Sequence, residues 1–391
     1  MKKICLNMIV KNEAHIIKKT LKNICDHIEI DTWVICDTGS TDNTIEEIKQ
    51  FFQEKNIQGE IYQDEWTSFS HNRNLALQRC SGKSDYILIF DADDYFEGVF
   101  KLPQVLEKDS YLMNMSSESK SLRYQRKLLL KNDAGFYWRS VLHEFIDNKN
   151  HGITFGTIEG DYYVVSGRQG NRSKQSDKYS KDALILKTAF EQKEDEELLP
   201  RYAFYCAQSY RDAGDIDQAI HWYKKRIELQ NGWSDEIYCS YIELGLLLER
   251  QEKIDDAISV WLKGVSHDAK RTECWYQLAR IHNWNKRYDL AYCFAKQGRT
   301  LVFPQGNRLF VNRDIYHYWI IYEWCLNSFK IGMMDESYEA FKLLINVAPN
   351  DLIKRLESQV LSYRDMILND KTQSYLELKN KLNSLNIDIK I

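Results

Sequence analysis

The stretch Tyr86-Ile-Leu-Ile-Phe-Asp-Ala-Asp-Asp-Tyr95 limits the fold more than any other part of the chain. It opens with five consecutive apolar or aromatic residues, Tyr86 to Phe90, rich in β-formers. A strand that is apolar at every position must be covered on both faces, as in an α/β sheet with a layer on each side. The run then breaks into three carboxylates within four positions, Asp91, Asp93 and Asp94. Ligands bind just beyond the carboxyl ends of such strands. If the extended backbone continues, Asp91 and Asp93 project to one side. Two hard oxygen donors there suit a divalent metal, Mg2+ or Mn2+, which would in turn bind substrate phosphates. The alternative is a solvated acidic turn that caps a strand.

The flanking sequence alternates strand and helix. Ile4 to Val10 reads as a strand, followed by Lys11-Asn12-Glu13-Ala14 and a helix to about Cys25 with Asn12 as its N-cap. Thr32 to Cys36 is a second strand ending at Asp37. Thr38-Gly39-Ser40-Thr41-Asp42-Asn43-Thr44 then turns into a helix reaching about Lys55. Glu60 to Gln63 is a third strand, and Trp66 to about Cys80 a helix that carries Arg73 and Asn74. This alternation predicts an α/β domain with a largely parallel sheet, and it stands Asp37 and Asp91 together at strand carboxyl ends. Neither G-x-x-x-x-G-K-[ST] nor G-x-G-x-x-G occurs, so any phosphates fall to a metal and to basic side chains.

Two later segments add candidates. Arg123-Tyr-Gln-Arg126 starts a strand, and Phe136-Tyr-Trp138 leads into His143-Glu144. That pair can complete a metal shell or supply a general base, against the alternative of an ordinary structural histidine. Tyr162 to Val165 is a strand that runs into Gly167-Arg168-Gln-Gly170-Asn-Arg172-Ser-Lys174. Such a cationic loop can close on a pyrophosphate through arginine forks, or serve as a solvated linker.

With 53 basic and 57 acidic residues the net charge is -4, which argues against nucleic acid as a partner. The nine cysteines include no C-x-x-C pair, a pattern that suits a reducing compartment. No run approaches the roughly 20 apolar residues of a membrane span. The expectation is a soluble, cytoplasmic protein without a transmembrane segment, with peripheral membrane association left open.

From about residue 180 helical periodicity takes over. Small residues recur at Ala219, Ala257, Ala291 and Ser337, with Tyr223, Trp261, Ala295 and Phe341 four positions later. Small positions let paired helices approach while large ones fill the groove between neighbours, as in stacked helical repeats. Gly298 to Tyr318 interrupts the series. The expected organisation is an α/β domain over 1–178, helical repeats over 179–350 and a helical cap over 351–391.

Lys11-Asn-Glu-Ala14, Asp37 to Thr44, Trp66 to Leu77 with Arg73-Asn74, and Asp91-Ala-Asp93 occur in order. Together they resemble the nucleotide-sugar domain of the GT-A fold, family 2 glycosyltransferases. The tract Tyr179 to Leu229, with Arg201-Tyr-Ala-Phe-Tyr-Cys-Ala-Gln-Ser-Tyr-Arg-Asp-Ala-Gly-Asp215, resembles the subgroup with a fused tetratricopeptide-repeat (TPR) tail. The likeness covers most of the chain. It implies an inverting transfer of a sugar, a hexosyl group, from a nucleoside-diphosphate sugar such as a UDP-sugar. The acceptor would be a glycan, a lipid-linked glycan or a protein, and the TPR region would bind that acceptor or a partner protein. It also implies a divalent metal ligated by Asp93, with Asp91 facing ribose or metal and His143 as a further ligand. Asn12, Glu13, Asp37 and Arg73 would line the nucleotide site, with Arg168 and Arg172 near the diphosphate. Many members carry an acidic pair well after the D-x-D; this chain offers Glu144 for the base, with Asp94 as second candidate. The competing reading is a repeat scaffold with an inactive sugar-nucleotide domain.

Overall fold

A computed structural model describes residues 2–118, 120, 122–167, 177–306, 308–369, 374–385 and 387. The chain divides into two compact units, 1–236 with 306–310, and 237–305 with 311–391.

The first unit begins as three strand–helix pairs. They are β1 (Ile4–Val10), α1 (Ile17–His27), β2 (Thr32–Asp37), α2 (Thr44–Lys55), β3 (Gly59–Gln63) and α3 (Phe69–Gln78). Then come β4 (Tyr86–Ile89), β5 (Tyr95–Gly98), β6 (Ser110–Ser117) and β7 (Leu122–Lys131). A hairpin of β8 (Phe136–Arg139) and β9 (Phe145–Asn148) follows, then β10 (Phe155–Thr157) and β11 (Tyr162–Ser166). The main sheet runs β3-β2-β1-β4-β7-β6-β11-β5, and β10 pairs with β6. Its first four strands are parallel, as the alternation predicts. Beyond β4 the sheet is mixed, because β7 returns antiparallel to both β4 and β6.

Strand β4 is sealed on both sides, which accounts for its unbroken apolar run. Leu88 and Phe90 join Leu6, Met8, Ile35 and the apolar sides of α1 and α2 in one core. Ile87 and Ile89 join Cys5, Val34, Ala76, Leu77, Trp138 and Ile146 in the other. Helix α3 and the β8–β9 hairpin therefore share one face of the sheet, and α1 and α2 the opposite one.

Three details of the sequence reading change. Helix α1 starts only at Ile17, and Asn12 does not cap it: Asn12 sits in a loop with φ +57°. The extended backbone of β4 does not continue through the acidic residues, since the Asp94 amide bonds back to the Asp91 carbonyl at 3.2 Å and closes a turn. Asp94 is consequently buried, not turned away from the cluster.

The unit ends in helices α4 (Lys178–Glu191), α5 (Leu199–Asp212) and α6 (Ile216–Leu229). Helix α7 (Ser234–Arg250) starts here and continues into the second unit. That unit holds α8 (Ile254–His267), the pair α9 (Thr272–Trp284) and α10 (Tyr288–Gly298), and the pair α11 (Ile320–Lys330) and α12 (Met334–Val347). The small repeat positions Ala219, Ala257, Ala291 and Ser337 are fully buried, as are Tyr223, Trp261, Ala295 and Phe341. Gly245 shows why: a β-carbon there would lie 2.2 Å from the Trp261 indole nitrogen, so the bulk of α8 uses the space that α7 vacates. The expected architecture, an α/β domain followed by all-α helical repeats, is the observed one. The interruption before α11 is a loop closed by a π-helical turn, Ile315–Trp319. Leu352, Ile353, Leu356, Val360 and Tyr363, beyond α12, add to the same core as Phe341 and Leu344. Among the described residues, no helix is long and apolar enough to cross a membrane.

Candidate active site

Two polar clusters stand at the carboxyl edge of the parallel strands. The first is made by the loops after β1 and β2, which are laced together. The Asn12 amide donates to Ser40 Oγ at 2.8 Å, and the Thr41 amide donates to Asn12 Oδ1 at 2.7 Å. The Glu13 amide donates to Thr44 Oγ1 at 2.8 Å, and that of Ala14 to Asp42 Oδ2 at 3.2 Å. Asp37 is fully buried, and its Oδ2 accepts the Gly39 and Ser40 amides at 3.0 and 2.9 Å. Its Oδ1 is buried with no hydrogen-bond partner among the described residues. A buried carboxylate oxygen left unmatched is costly unless something donates to it.

The second cluster gathers around the turn after β4. Helix α3 starts cleanly because Ser68 caps it, accepting from the His71 amide at 3.2 Å. Asn72 fastens the preceding loop through its Oδ1 to the Thr67 amide and its Nδ2 to the Glu65 carbonyl. The next residue, Arg73, then reaches over the sheet edge. Its Nη2 donates to Asp91 Oδ1 at 2.7 Å and its Nε to Glu144 Oε1 at 2.9 Å. Its guanidinium lies 4.7 Å above the Trp138 ring. From β7, Arg126 Nη1 donates to Asp91 Oδ2 at 3.3 Å, so each Asp91 oxygen faces a guanidinium. Burial pushes the Asp91 carboxyl up, but the two arginines outweigh it and hold it down at about 2.

Asp94 goes the other way. Burial first, and the Asp91 charge second, push its carboxyl well above the ordinary range. The Gly167 amide donates to its Oδ1 at 3.3 Å. Gly167 is needed for a steric reason: a β-carbon there would sit 1.9 Å from the Asp93 carbonyl oxygen. The end of β11 is thus laid directly on the acidic turn. From the other side α1 pins the same turn, with Thr20 Oγ1 donating to the Ala92 carbonyl at 2.6 Å. Asn23 clamps Phe96, its Nδ2 donating to the Phe96 carbonyl at 3.0 Å and its Oδ1 accepting from the Phe96 amide at 2.6 Å.

His143 and Glu144 lie on the loop between β8 and β9. Asn74 anchors this hairpin to α3, accepting from the Trp138 amide at 2.7 Å and donating to its carbonyl at 2.9 Å. His143 has φ +50°, and its ring stacks on Tyr205 with centroids 3.9 Å apart.

The structure therefore joins Arg73, Asp91 and Glu144 by direct ion pairs, with Asp93 and Asp94 in the same turn. Asn12, Glu13 and Asp37 belong to the neighbouring cluster. Strand β1 separates β2 from β4, so the two clusters are two strand spacings, roughly 10 Å, apart. Arg168 and Arg172 lie outside the described residues. Arg126, Trp138, Asn74 and Gly167 join the site although the sequence reading assigns none of them a site role. Of these, an arginine leading into the apolar run Leu128-Leu-Leu130 was the legible signal.

The acidic turn suits a hard divalent cation in one specific way. Among the described residues no three His, Cys, Asp or Glu side chains cluster to hold a metal by themselves. Magnesium-type sites commonly take only one or two protein carboxylates and fill the remaining positions with substrate phosphates and water. Asp93 is half-buried in the turn, beside Asp91 and the buried Asp94. That donor set fits such an ion, whereas a closed protein cage does not.

Residues 5–113 match the family model described as glycosyl transferase family 2. A TPR repeat-containing protein of Synechococcus elongatus is 23% identical over 317 residues, spanning 76% of this chain and 75% of that protein. The SPbeta prophage-derived glycosyltransferase SunS of Bacillus subtilis is 24% identical over 271 residues, 64% of this chain and 60% of its own length. Among solved structures, S. aureus TarS 1-349 in complex with UDP-GlcNAc covers 68% of this chain and 92% of its own at 14% identity and a TM-score of 0.35. MamA covers 46% of this chain and 94% of its own at 22% identity and a TM-score of 0.35.

Proposed function

We propose that this chain, whose N-terminal part is a family 2 glycosyl transferase domain, moves a hexosyl group from a nucleoside-diphosphate sugar, a UDP-sugar, to an acceptor hydroxyl with inversion. The observation that carries the reading is the Arg73 bridge between Asp91 and Glu144 at the carboxyl edge of a parallel sheet. It holds a buried cation and a carboxylate side by side at the strand ends, where this reading has a leaving diphosphate and an incoming hydroxyl meet.

In this reading the first cluster takes the nucleoside. Asp37 Oδ1 offers its unmatched oxygen to a donor on the base, and Asn12 and Glu13 shape the adjoining loop. Asp91, fixed by Arg73 and Arg126, faces the ribose. Asp93 would hold the divalent ion with at most one further protein ligand, Asp91 or His143. When bound, that ion supplies Lewis-acid neutralisation of the diphosphate. Arg73 adds a fixed positive charge from the protein side, and Arg168 and Arg172 are the further cations proposed for the diphosphate.

Glu144 and Asp94 are the two carboxylates proposed for taking the acceptor proton. Glu144 has one oxygen committed to Arg73, which fixes its direction. Asp94 has a proton affinity raised by burial and by the Asp91 charge. The acceptor, a glycan, lipid-linked glycan or protein, would be presented by the TPR region, whose repeats are also a surface for a partner protein.

The test is release of the donor nucleotide (UDP, GDP or CMP) across a panel of UDP-, GDP- and CMP-sugars with Mn2+ or Mg2+, alone and with cell-extract acceptors. Turnover confined to a UDP-sugar and abolished by chelation is expected. Absence of turnover with every donor would favour the scaffold reading instead.

A further inference from the structure

The loop that carries Glu144 is gripped from two sides. One side is α3 of the sheet domain, through Arg73 and Asn74. The other is the first helical hairpin. Arg201, in the first turn of α5, donates to the His143 carbonyl through Nη2 at 2.7 Å and Nε at 3.3 Å. Its guanidinium is stacked against Phe145 and Tyr205, 4.8 and 4.7 Å from the ring centroids. Tyr205, one helical turn on, stacks on the His143 ring with an interplanar angle of 12°. Behind them Glu236 is buried and accepts from both Arg201 Nη1 and Arg226 Nε, at 3.3 and 3.2 Å, so Arg201 is itself held in place.

The base of the loop is tied in the same direction. Arg139 makes a two-pronged pair with Asp195, both contacts at 2.7 Å, just before α5. Within the loop, Ser140 and His143 both hold left-handed backbone, at φ +92° and +50°. Non-glycine residues keep such conformations only where their surroundings impose them.

We infer that the first helical hairpin is a working part of the transfer site: Arg201 and Tyr205 act as positioning residues that hold the 140–144 loop, and with it Glu144, in the geometry used for transfer. This rests on the glycosyl transfer reading above, with Glu144 at the reacting centre. Each acts through the backbone and ring of His143. The helices after residue 178 then do more than carry an acceptor, because α5 completes the site.

The test uses the full-length chain and the variants Arg201→Ala, Arg201→Lys and Tyr205→Leu. Hydrogen exchange over residues 139–145 reads the grip, and steady-state donor turnover reads its use. In Arg201→Ala, exchange in the loop is expected to rise at least about tenfold, while kcat falls on the order of 10²-fold, the scale of a misplaced catalytic group. The donor KM stays within about threefold, because the nucleoside cluster is untouched. Lysine restores part of the rate, since it keeps the charge but loses the stacked fork. Tyr205→Leu shows the same pattern at smaller amplitude, and it serves as the probe if Arg201→Ala does not fold. A folded variant whose loop exchanges like wild type overturns the inference, as does a loosened loop with wild-type kcat. If the wild-type chain turns over no nucleotide sugar, the glycosyl transfer reading itself fails, and the catalytic half of the inference fails with it. The exchange data separate that failure from an intact grip.

Discussion

Two buried arginine–carboxylate groups in this molecule look alike and do different work. In the repeats, Arg271 pairs with Glu273 at 2.6 Å, with side chains 0% and 2% exposed. The Tyr238 ring lies 4.4 Å from the guanidinium, and Tyr316 donates a further bond to the carboxylate. The partners are two residues apart and sealed from water. At the sheet edge, Arg73 pairs with Asp91 and Glu144, 18 and 71 residues away. There the Asp91 side chain remains 25% exposed. A sealed local pair fixes a helix start. An open pair built from distant segments leaves its groups able to meet a ligand, which is the use the proposed function makes of it. Burial by itself does not separate the two cases; residual access does.

The largest expected effect falls on the open group. Glu144→Gln keeps an oxygen for Arg73 but cannot take a proton, so kcat should drop by about 10²- to 10⁴-fold with little change in melting temperature. Donor turnover and a thermal melt on the same sample check both halves. The sealed region should show the reverse. Trp261→Ala empties a fully buried position and is expected to cost about 3–5 kcal/mol in denaturant unfolding of its unit, with donor affinity unchanged. A change in donor affinity there would break the comparison.

A smaller effect in both readouts is expected from Gly167→Ala. The new β-carbon must displace the Asp93 carbonyl, with a cost of about 1–3 kcal/mol and a loss of turnover of at least about tenfold. Equal turnover would show that the acidic turn tolerates displacement.

The pH dependence sharpens the contrast inside the turn. Asp91 titrates lower in the folded chain, at about 2, than the usual 3.9 or so of an unfolded aspartate. Its stabilisation is complete above about pH 4 and is lost as pH falls toward 2, an effect of about 2 kcal/mol. Asp94 is raised instead, so its contribution is complete below the unfolded value and is lost as pH climbs through the folded one. Asp94→Asn should accordingly gain stability at neutral pH while losing activity, and unfolding curves at pH 4 and pH 7 decide it.

What could be read from the sequence follows the same division. The repeats were legible because helix packing is set by size at fixed spacing, and Ala219, Ala257 and Ala291 sit where the spacing requires. Strand β4 was legible because covering both faces leaves no polar position. The acidic turn was found for the same reason, but its shape was not. The alternating pattern predicts extended backbone through Asp93, whereas the Asp94 amide turns back onto Asp91. Asn12 has the chemistry of a helix cap, yet its side chain is spent on the Thr41 amide in a neighbouring loop. Trp138 and Gly167 enter the site only through tertiary approach, for which residue type and spacing carry no mark, whereas Arg126 is marked by its place at the start of an apolar strand.

The most direct test of the glycosyl transfer site is nucleoside diphosphate release by wild type and Asp93→Ala in the presence of Mn2+ or Mg2+. Wild type should turn over at least one nucleotide sugar, and Asp93→Ala should fall by about 10²- to 10³-fold while remaining folded. A folded Asp93→Ala protein with full wild-type turnover would contradict the assignment of the acidic turn as the site that receives the diphosphate.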